Sequence, residues 1–189
     1  MDLLQRRVSE AFDAVRREGF LPAGARRSAS FDGPIPIGHG QTNSQPRTVR
    51  DMLRLLDVRP GDRVLDVGAG SGWTTALLGH LTGPEGRVVG VELEPDLAEW
   101  AEENLRRTPY DAACVRAAEP GVLGVPAGAP YDRIMVSAAA RELPRALVEQ
   151  LADGGRMVVP VQGTMTLVER RGDAVRTSEH GAYRFVPLR

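Results

Sequence analysis

Lysine is absent from this chain: all 24 basic residues are arginine, set against 25 acidic ones. The net charge of −1 supplies no broad attraction toward nucleic acid or an anionic membrane surface. An arginine-only basic set fits the codon usage of a GC-rich genome and carries no mechanistic weight. Cysteine is nearly absent as well. The single Cys114 excludes an internal disulfide and any cysteine-cluster metal site. It lies in the apolar run "AACV", which predicts a buried structural thiol. The three histidines, His39, His80 and His180, show no metal-ligand spacing. No apolar stretch approaches the roughly 20 residues of a membrane-spanning helix. The opening "MDLLQRRVSEAFDAVRREGF" lacks the apolar centre of a secretion signal. A soluble, cytoplasmic protein without a membrane partner is the expectation.

At 189 residues, one domain with one core is the default. Residues 1–45 read as an N-terminal helix and a substrate-side loop, and residues 46–189 as a cofactor-binding sheet. Leu4, Val8, Phe12 and Val15 mark an amphipathic helix over 3–18 that Gly19 ends. Residues 20–37 read as an irregular connection. Helix signals resume at Pro46, suited to a first turn, with Met52, Leu53, Leu55 and Leu56 on the apolar face. Strand and helix then alternate. "RVLDV", "RVVGV", "AACVR", "DRIMVSA" and "GRMVVPV" read as strands, with helices at 72–81, 95–107 and 142–152 between them. That rhythm implies an α/β fold with parallel strands and helices on both faces. "TMTLVERR" and "YRFVPL", separated by a short polar stretch, predict a closing antiparallel hairpin.

"VLDVGAGSGW" ends a strand and opens a helix, as a nucleotide-type cofactor site requires. Gly68, Gly70 and Gly72 let backbone approach a ligand and expose N–H groups at a helix start. A dinucleotide site wants a third glycine at the position that Trp73 occupies here. Asp66 would repel a pyrophosphate, but it could accept from a ligand ammonium group or stabilise the turn. Glu92 ends the next strand at 92 − 72 = 20 residues from Gly72, the separation expected of about 20 for an acid on ribose hydroxyls. S-adenosylmethionine fits this set, having a ribose, an adenine, an amino-acid end and no phosphate. Glu119 follows the third strand, where it could accept from the adenine amino group. Ser137 and small alanines follow the fourth, consistent with an open cavity wall.

The stretch "GHGQTNSQPRTV", residues 38–49, is polar and carries no helical or strand periodicity. Two readings compete there. Thr42 and Ser44 could line a reaction site, or Ser44 or Asn43 could cap the helix that starts at Pro46.

Here the residues resemble the protein L-isoaspartyl (D-aspartyl) O-methyltransferase family, as a variant with a shortened N-terminal segment. "IPIGHGQTNSQP", "LDVGAGSGW", "YDRIMVSAAA", "LPRALVEQLADGGRMVVPV" and "RFVPL" follow in that family's order, over residues 34–189 with a gap between Thr164 and Ala182. The resemblance implies a class I, Rossmann-like methyltransferase fold with a mostly parallel seven-stranded sheet. It implies S-adenosyl-L-methionine as donor, S-adenosyl-L-homocysteine as product, and methylation of a carboxylate on L-isoaspartyl residues of damaged proteins or peptides. The family's active-site serine falls on Ser44, beside Thr42. Its cofactor contacts fall on this loop, including Gln41, and on Gly68, Glu92 and Glu119; with Asp66, Gly70, Ser71, Gly72 and Leu93 these make the expected cofactor-binding set. The family usually has isoleucine where this chain has Asn43. Its Gly-Asp-Gly stands here as Ala118, Glu119 and Pro120, and its N-terminal segment as "LPAGARRSASFDG".

A carboxylate acceptor, with a reference pKa near roughly 4, is already ionised at neutral pH. No strong base is then required, which agrees with the lack of a His–acid pair in the sequence pattern. Other acceptors stay open: a carboxylate in a modified peptide, or RNA held by Arg16, Arg17, Arg26 and Arg27. An inert cofactor-binding module stays open too. The expectation is a monomer acting on a protein or peptide, without metal and without nucleic acid.

Overall fold

The computed structural model describes residues 2–189. Helix α1, Leu3–Ala14, starts where the Asp2 carboxylate accepts from Gln5 N at 2.7 Å. It buries Val8 and Ala11 in the main core. The helix ends before the expected Gly19. Val15 leaves helical geometry, and its carbonyl accepts from the indole of Trp73 at 3.2 Å. A tight 3-10 turn over Arg17–Phe20 follows and turns Arg17 inward.

The next segments depart from the irregular connection expected. Strands β1 (Ile35–Gly38) and β2 (Gln41–Asn43) pair antiparallel as a small hairpin. Its reversal uses three left-handed residues, Gly38, His39 and Gly40. Strands of four and three residues are too short to show a period, so the sequence carries no sign of them. Ile35 and Ile37 are buried, and Asn43 faces inward with them. Helix α2, Pro46–Leu56, buries Val49, Met52, Leu53 and Leu56.

The remaining strands form one seven-stranded sheet in the order β5-β4-β3-β6-β7-β8-β9. They are β3 (Arg63–Val67), β4 (Arg87–Glu92), β5 (Ala113–Ala117), β6 (Tyr131–Val136), β7 (Leu151–Val161), β8 (Thr164–Arg171) and β9 (Ala174–Ala182). The pairs β3–β4, β4–β5, β3–β6 and β6–β7 are parallel. The pairs β7–β8 and β8–β9 are antiparallel. Helices α3 (Trp73–Thr82), α4 (Pro95–Leu105) and the short α5 (Arg145–Val148) connect the parallel strands. One core joins α1–α4 to one face of the sheet; a second, around Tyr131, Leu147, Leu151 and Met157, covers the other. The N-terminal helix therefore shares its core with the sheet.

Three further expectations are corrected. The helix predicted over 142–152 shrinks to Arg145–Val148, because Pro144 stands before it as its cap and Leu151 already belongs to β7. The last strand is "AVRTSEHGA", not "YRFVPL". Every residue of β9 is exposed, so this edge strand has no apolar alternation to betray it. "YRFVPL" instead runs across the carboxyl ends of the sheet, where Ala139 N donates to Val186 O at 2.7 Å and Leu188 N to Ala139 O at 2.8 Å. Finally, Cys114 is exposed. Alternation along the edge strand β5 buries Ala113 and Val115 and turns the thiol outward.

The chain leaves β3 toward β4 and β5, then returns to β6 on the other side of β3. Ligand crevices in open parallel sheets form at the carboxyl ends where strand order reverses. The glycine turn after β3 and Ser137 after β6 flank that point.

Candidate active site

A cavity of about 1150 Å³ opens there. Its floor is the turn from Gly68 to Ser71, with Glu92 and Leu93 after β4 and Glu119 after β5. Its opposite wall is β2 and the first turn of α2, from Gln41 to Thr48. The segment Tyr183–Arg189 forms the third side.

The turn is tied down from both sides. Gly68 N and Ala69 N donate to Val91 O at 2.9 and 3.1 Å. Gly70 adopts φ +56°, and a Cβ there would meet Ile37 Cδ1 at 3.2 Å, so a side chain would press against the hairpin. Gly70 N donates to Glu92 Oε2 at 2.8 Å, and Glu94 N to Oε1 at 3.1 Å. Glu92 is thus buried, anchored through backbone donors, and keeps lone pairs on both oxygens. Gly68, Gly70, Ser71, Gln41, Leu93 and Glu119 all line the cavity with it. Gly72 does not. A Cβ on it would meet Ala101 O at 3.1 Å, so this glycine serves the approach of α4. Trp73, at the position a dinucleotide turn reserves for glycine, is buried edge-on against Phe12 at 5.4 Å between centroids.

Asp66 lies beneath the turn with no exposed surface and is not part of the cavity wall. Its Oδ2 accepts from the hydroxyls of Thr74 (2.8 Å) and Thr75 (2.7 Å), while Oδ1 has no partner. Burial pushes its carboxyl up to about 6, against the pull of the two hydroxyls toward the anion.

The wall opposite the turn depends on a residue that the sequence offered only as a contact for RNA. Arg17 is 5% exposed. It donates to five backbone carbonyls: Ala29, Phe31, Gly33, Asn43 and Ser44, at 2.8–3.3 Å. Its Nε donates to Asn43 Oδ1 at 2.7 Å, and the guanidinium lies over Trp73 at 5.3 Å. Burial lowers its pKa to about 10, so it stays charged at neutral pH. No spacing rule marks such a residue, since its partners are carbonyls supplied by distant loops. Its burial also removes it from the phosphate-contact set weighed for RNA, and Arg16 is paired with Glu18 at 2.9 Å.

Arg17 holds Ser44 by its carbonyl and leaves the side chain alone. Among the described residues, neither the Thr42 nor the Ser44 hydroxyl has a hydrogen-bond partner within the chain. A capping role fails for this segment. The cap residue of α2 is Gln45, without a side-chain cap bond, and Arg47 N is served by Asp32 Oδ1 at 3.0 Å. The wall therefore presents two unengaged hydroxyls to the cavity.

The model of the protein-L-isoaspartate(D-aspartate) O-methyltransferase family matches residues 3–189. The chain belongs to this family. The match begins well ahead of residue 34, so it includes α1 and the Arg17 turn. A protein-L-isoaspartate O-methyltransferase of Aeropyrum pernix is 50% identical over 189 residues, covering 97% of this chain and 72% of the relative. A solved protein-L-isoaspartate O-methyltransferase superposes with a TM-score of 0.88 at 26% identity, over 98% of this chain and 62% of its own length. A Plasmodium falciparum structure described as a protein-L-isoaspartate O-methyltransferase, in complex with S-adenosyl-L-homocysteine, gives 0.81 at 27% identity over 97% and 90%. Family membership makes the chain an S-adenosylmethionine-dependent carboxyl O-methyltransferase with the class I, Rossmann-like fold. Among the described residues no helix is long and apolar enough to cross a membrane.

The cavity's chemistry suits that donor. Its floor carries acids, Glu92 and Glu119, which disfavour phosphate, while the arginines of the lining, Arg47, Arg184 and Arg189, belong to the other two sides. The unpartnered Asp66 Oδ1 is an additional buried acceptor beside the turn.

Two measurements probe this framework. Arg17→Met strands the loop carbonyls and is expected to cost about 3–5 kcal/mol in urea denaturation; a loss under 1 kcal/mol would refute the clamp. For Asp66, the folded pKa of about 6 exceeds the ordinary aspartate value of 3.8, so the folded state binds the extra proton between these values. Its contribution to stability falls as pH rises through that window and levels off above it. Asp66→Asn removes the fall, and the stability gap over wild type should widen from pH 4 to pH 7 by on the order of 2–3 kcal/mol. A gap independent of pH contradicts the assignment.

Proposed function

We propose that this site methylates the free carboxylate of L-isoaspartyl residues in proteins and peptides, with Ser44 and Thr42 binding the acceptor. The observation that carries the reading is the pair of unengaged hydroxyls facing an acid-floored turn across one cavity. When bound, S-adenosylmethionine supplies an electrophilic methyl group on a sulfonium.

Each residue has a task that follows from its surroundings. Glu92, fixed by Gly70 N and Glu94 N, offers its remaining lone pairs to ribose hydroxyls. Gly68, Gly70 and Ser71 give the amino-acid end of the donor a backbone-lined floor. Gln41 and Leu93 close its flanks. Glu119, exposed at the cavity wall, is placed for the adenine amino group. Asp66 acts from below, where Oδ1 can accept from the donor's ammonium through a bridging water. Gly72 supports the turn by admitting α4.

Ser44 and Thr42 are donors of the right strength for the acceptor. A carboxylate is ionised at neutral pH and needs orientation more than a base. Neutral hydroxyls hold one oxygen without quenching the other, whereas a close guanidinium would withdraw its charge. Correct alignment of reacting groups is worth about 7–11 kcal/mol. Arg17 contributes by fixing the backbone that carries both hydroxyls. The segment Tyr183–Arg189 limits water entry, and Tyr183 is held by a hydrogen bond to Asp51 Oδ2 at 3.1 Å.

Paired peptides that differ only in an isoaspartyl or aspartyl residue provide the test. With labelled donor, base-labile methyl ester should form on the isoaspartyl peptide alone; ester on both, or on neither, rejects the acceptor assignment. Ser44→Ala should lower kcat by about 10- to 100-fold, the loss of one hydrogen bond to a charged group. Affinity for S-adenosylhomocysteine, measured by calorimetry, should stay within about twofold. Weakened binding with normal turnover would move Ser44 to the donor side.

A further inference from the structure

We propose that Asn43 is a positioning residue that joins the acceptor wall to the donor turn and aims the Ser71 hydroxyl proton into the cavity. The inference rests on the reading above, in which the donor occupies that turn.

Asn43 lies between the two acceptor residues but faces the other way. Thr42 is exposed and Ser44 half-buried, while Asn43 is 4% exposed. Its amide spans two structures that share no strand. Oδ1 accepts from Arg17 Nε at 2.7 Å, and Nδ2 donates to Ser71 Oγ at 3.1 Å. Ser71 is itself buried in the cofactor turn, and its carbonyl accepts from Asn104 Nδ2 of α4 at 3.0 Å.

Chemistry sets the direction of this chain. A guanidinium can only donate, so the Asn43 oxygen must face Arg17 and the amide nitrogen must face Ser71. The Ser71 oxygen then receives a hydrogen bond, and its own proton remains available. Ser71 lines the cavity, and no other acceptor for that proton lies in hydrogen-bond reach among the described residues. The polarity runs from Arg17 through Asn43 to Ser71 and ends in the cavity. One amide thereby fixes the spacing of Thr42 and Ser44 from the turn and orients a donor toward the bound nucleoside.

Asn43→Asp separates this role from simple packing. Aspartate keeps the shape and strengthens the link to Arg17, so the fold survives. It cannot donate, so Ser71 must turn its proton toward residue 43 and away from the cavity. Calorimetry with S-adenosylhomocysteine should show affinity weakened by about two- to tenfold, one neutral hydrogen bond. Ser71→Ala should show a similar loss, and the double variant should be no weaker than Ser71→Ala alone. Wild-type affinity in Asn43→Asp, or additive losses in the double variant, would overturn the proposal. Absence of binding to the wild-type protein would instead overturn the donor reading on which it rests. Asn43→Leu, which removes both bonds, should lower the melting temperature as well as affinity; a fall in melting temperature alone would mark Asn43 as packing only and overturn the proposal.

Discussion

A buried guanidinium holds the acceptor-facing half of this protein together through oxygen atoms alone. Arg17 gathers carbonyls from residues 29–33 and 43–44, segments too short and too polar to build a core of their own. Desolvating that charge is costly, and among the described residues no carboxylate lies within ion-pair distance of it; the neutral carbonyl dipoles and the Trp73 ring replace its water. Asp32, which accepts from Arg47 N at the start of α2, favours the charged guanidinium from a distance.

The two ends of the cavity are thereby sorted by charge and by rigidity. The floor uses an acid held by backbone N–H groups, Glu92. The opposite wall uses hydroxyls left free because their backbone is secured from behind. In the proposed reading, a cationic donor meets the acid floor and an anionic acceptor meets the hydroxyl wall, which also carries Arg47. Nothing in this division requires a metal or a proton relay.

Much of the sheet was legible in the sequence, because buried parallel strands carry apolar runs and the glycine turn has a fixed place between strand and helix. Glu92 was singled out by its separation from Gly72, and it lines the cavity; its contact with ribose is part of the proposed reading. The missed strands share one cause. β1, β2 and β9 are short or exposed, so no hydrophobic period accompanies them. "YRFVPL" carries an apolar pattern because it packs over strand ends, not because it pairs as a strand. Arg17 and Asn43 were illegible for a different reason: their roles depend on partners 12–28 residues away, and local pattern does not encode such meetings. Asn43 stood out as a departure from the usual isoleucine and as a candidate helix cap, without a hint of what replaced the apolar contact.

Trp73, the residue that excluded a dinucleotide turn, also places an optical probe at the joint between the two halves. Its indole donates to Val15, meets Phe12 edge-on and lies under Arg17, while the protein's other tryptophan, Trp100, sits part-exposed on α4. Blue-shifted emission from this ring reports directly whether the N-terminal segment is docked, with no label attached.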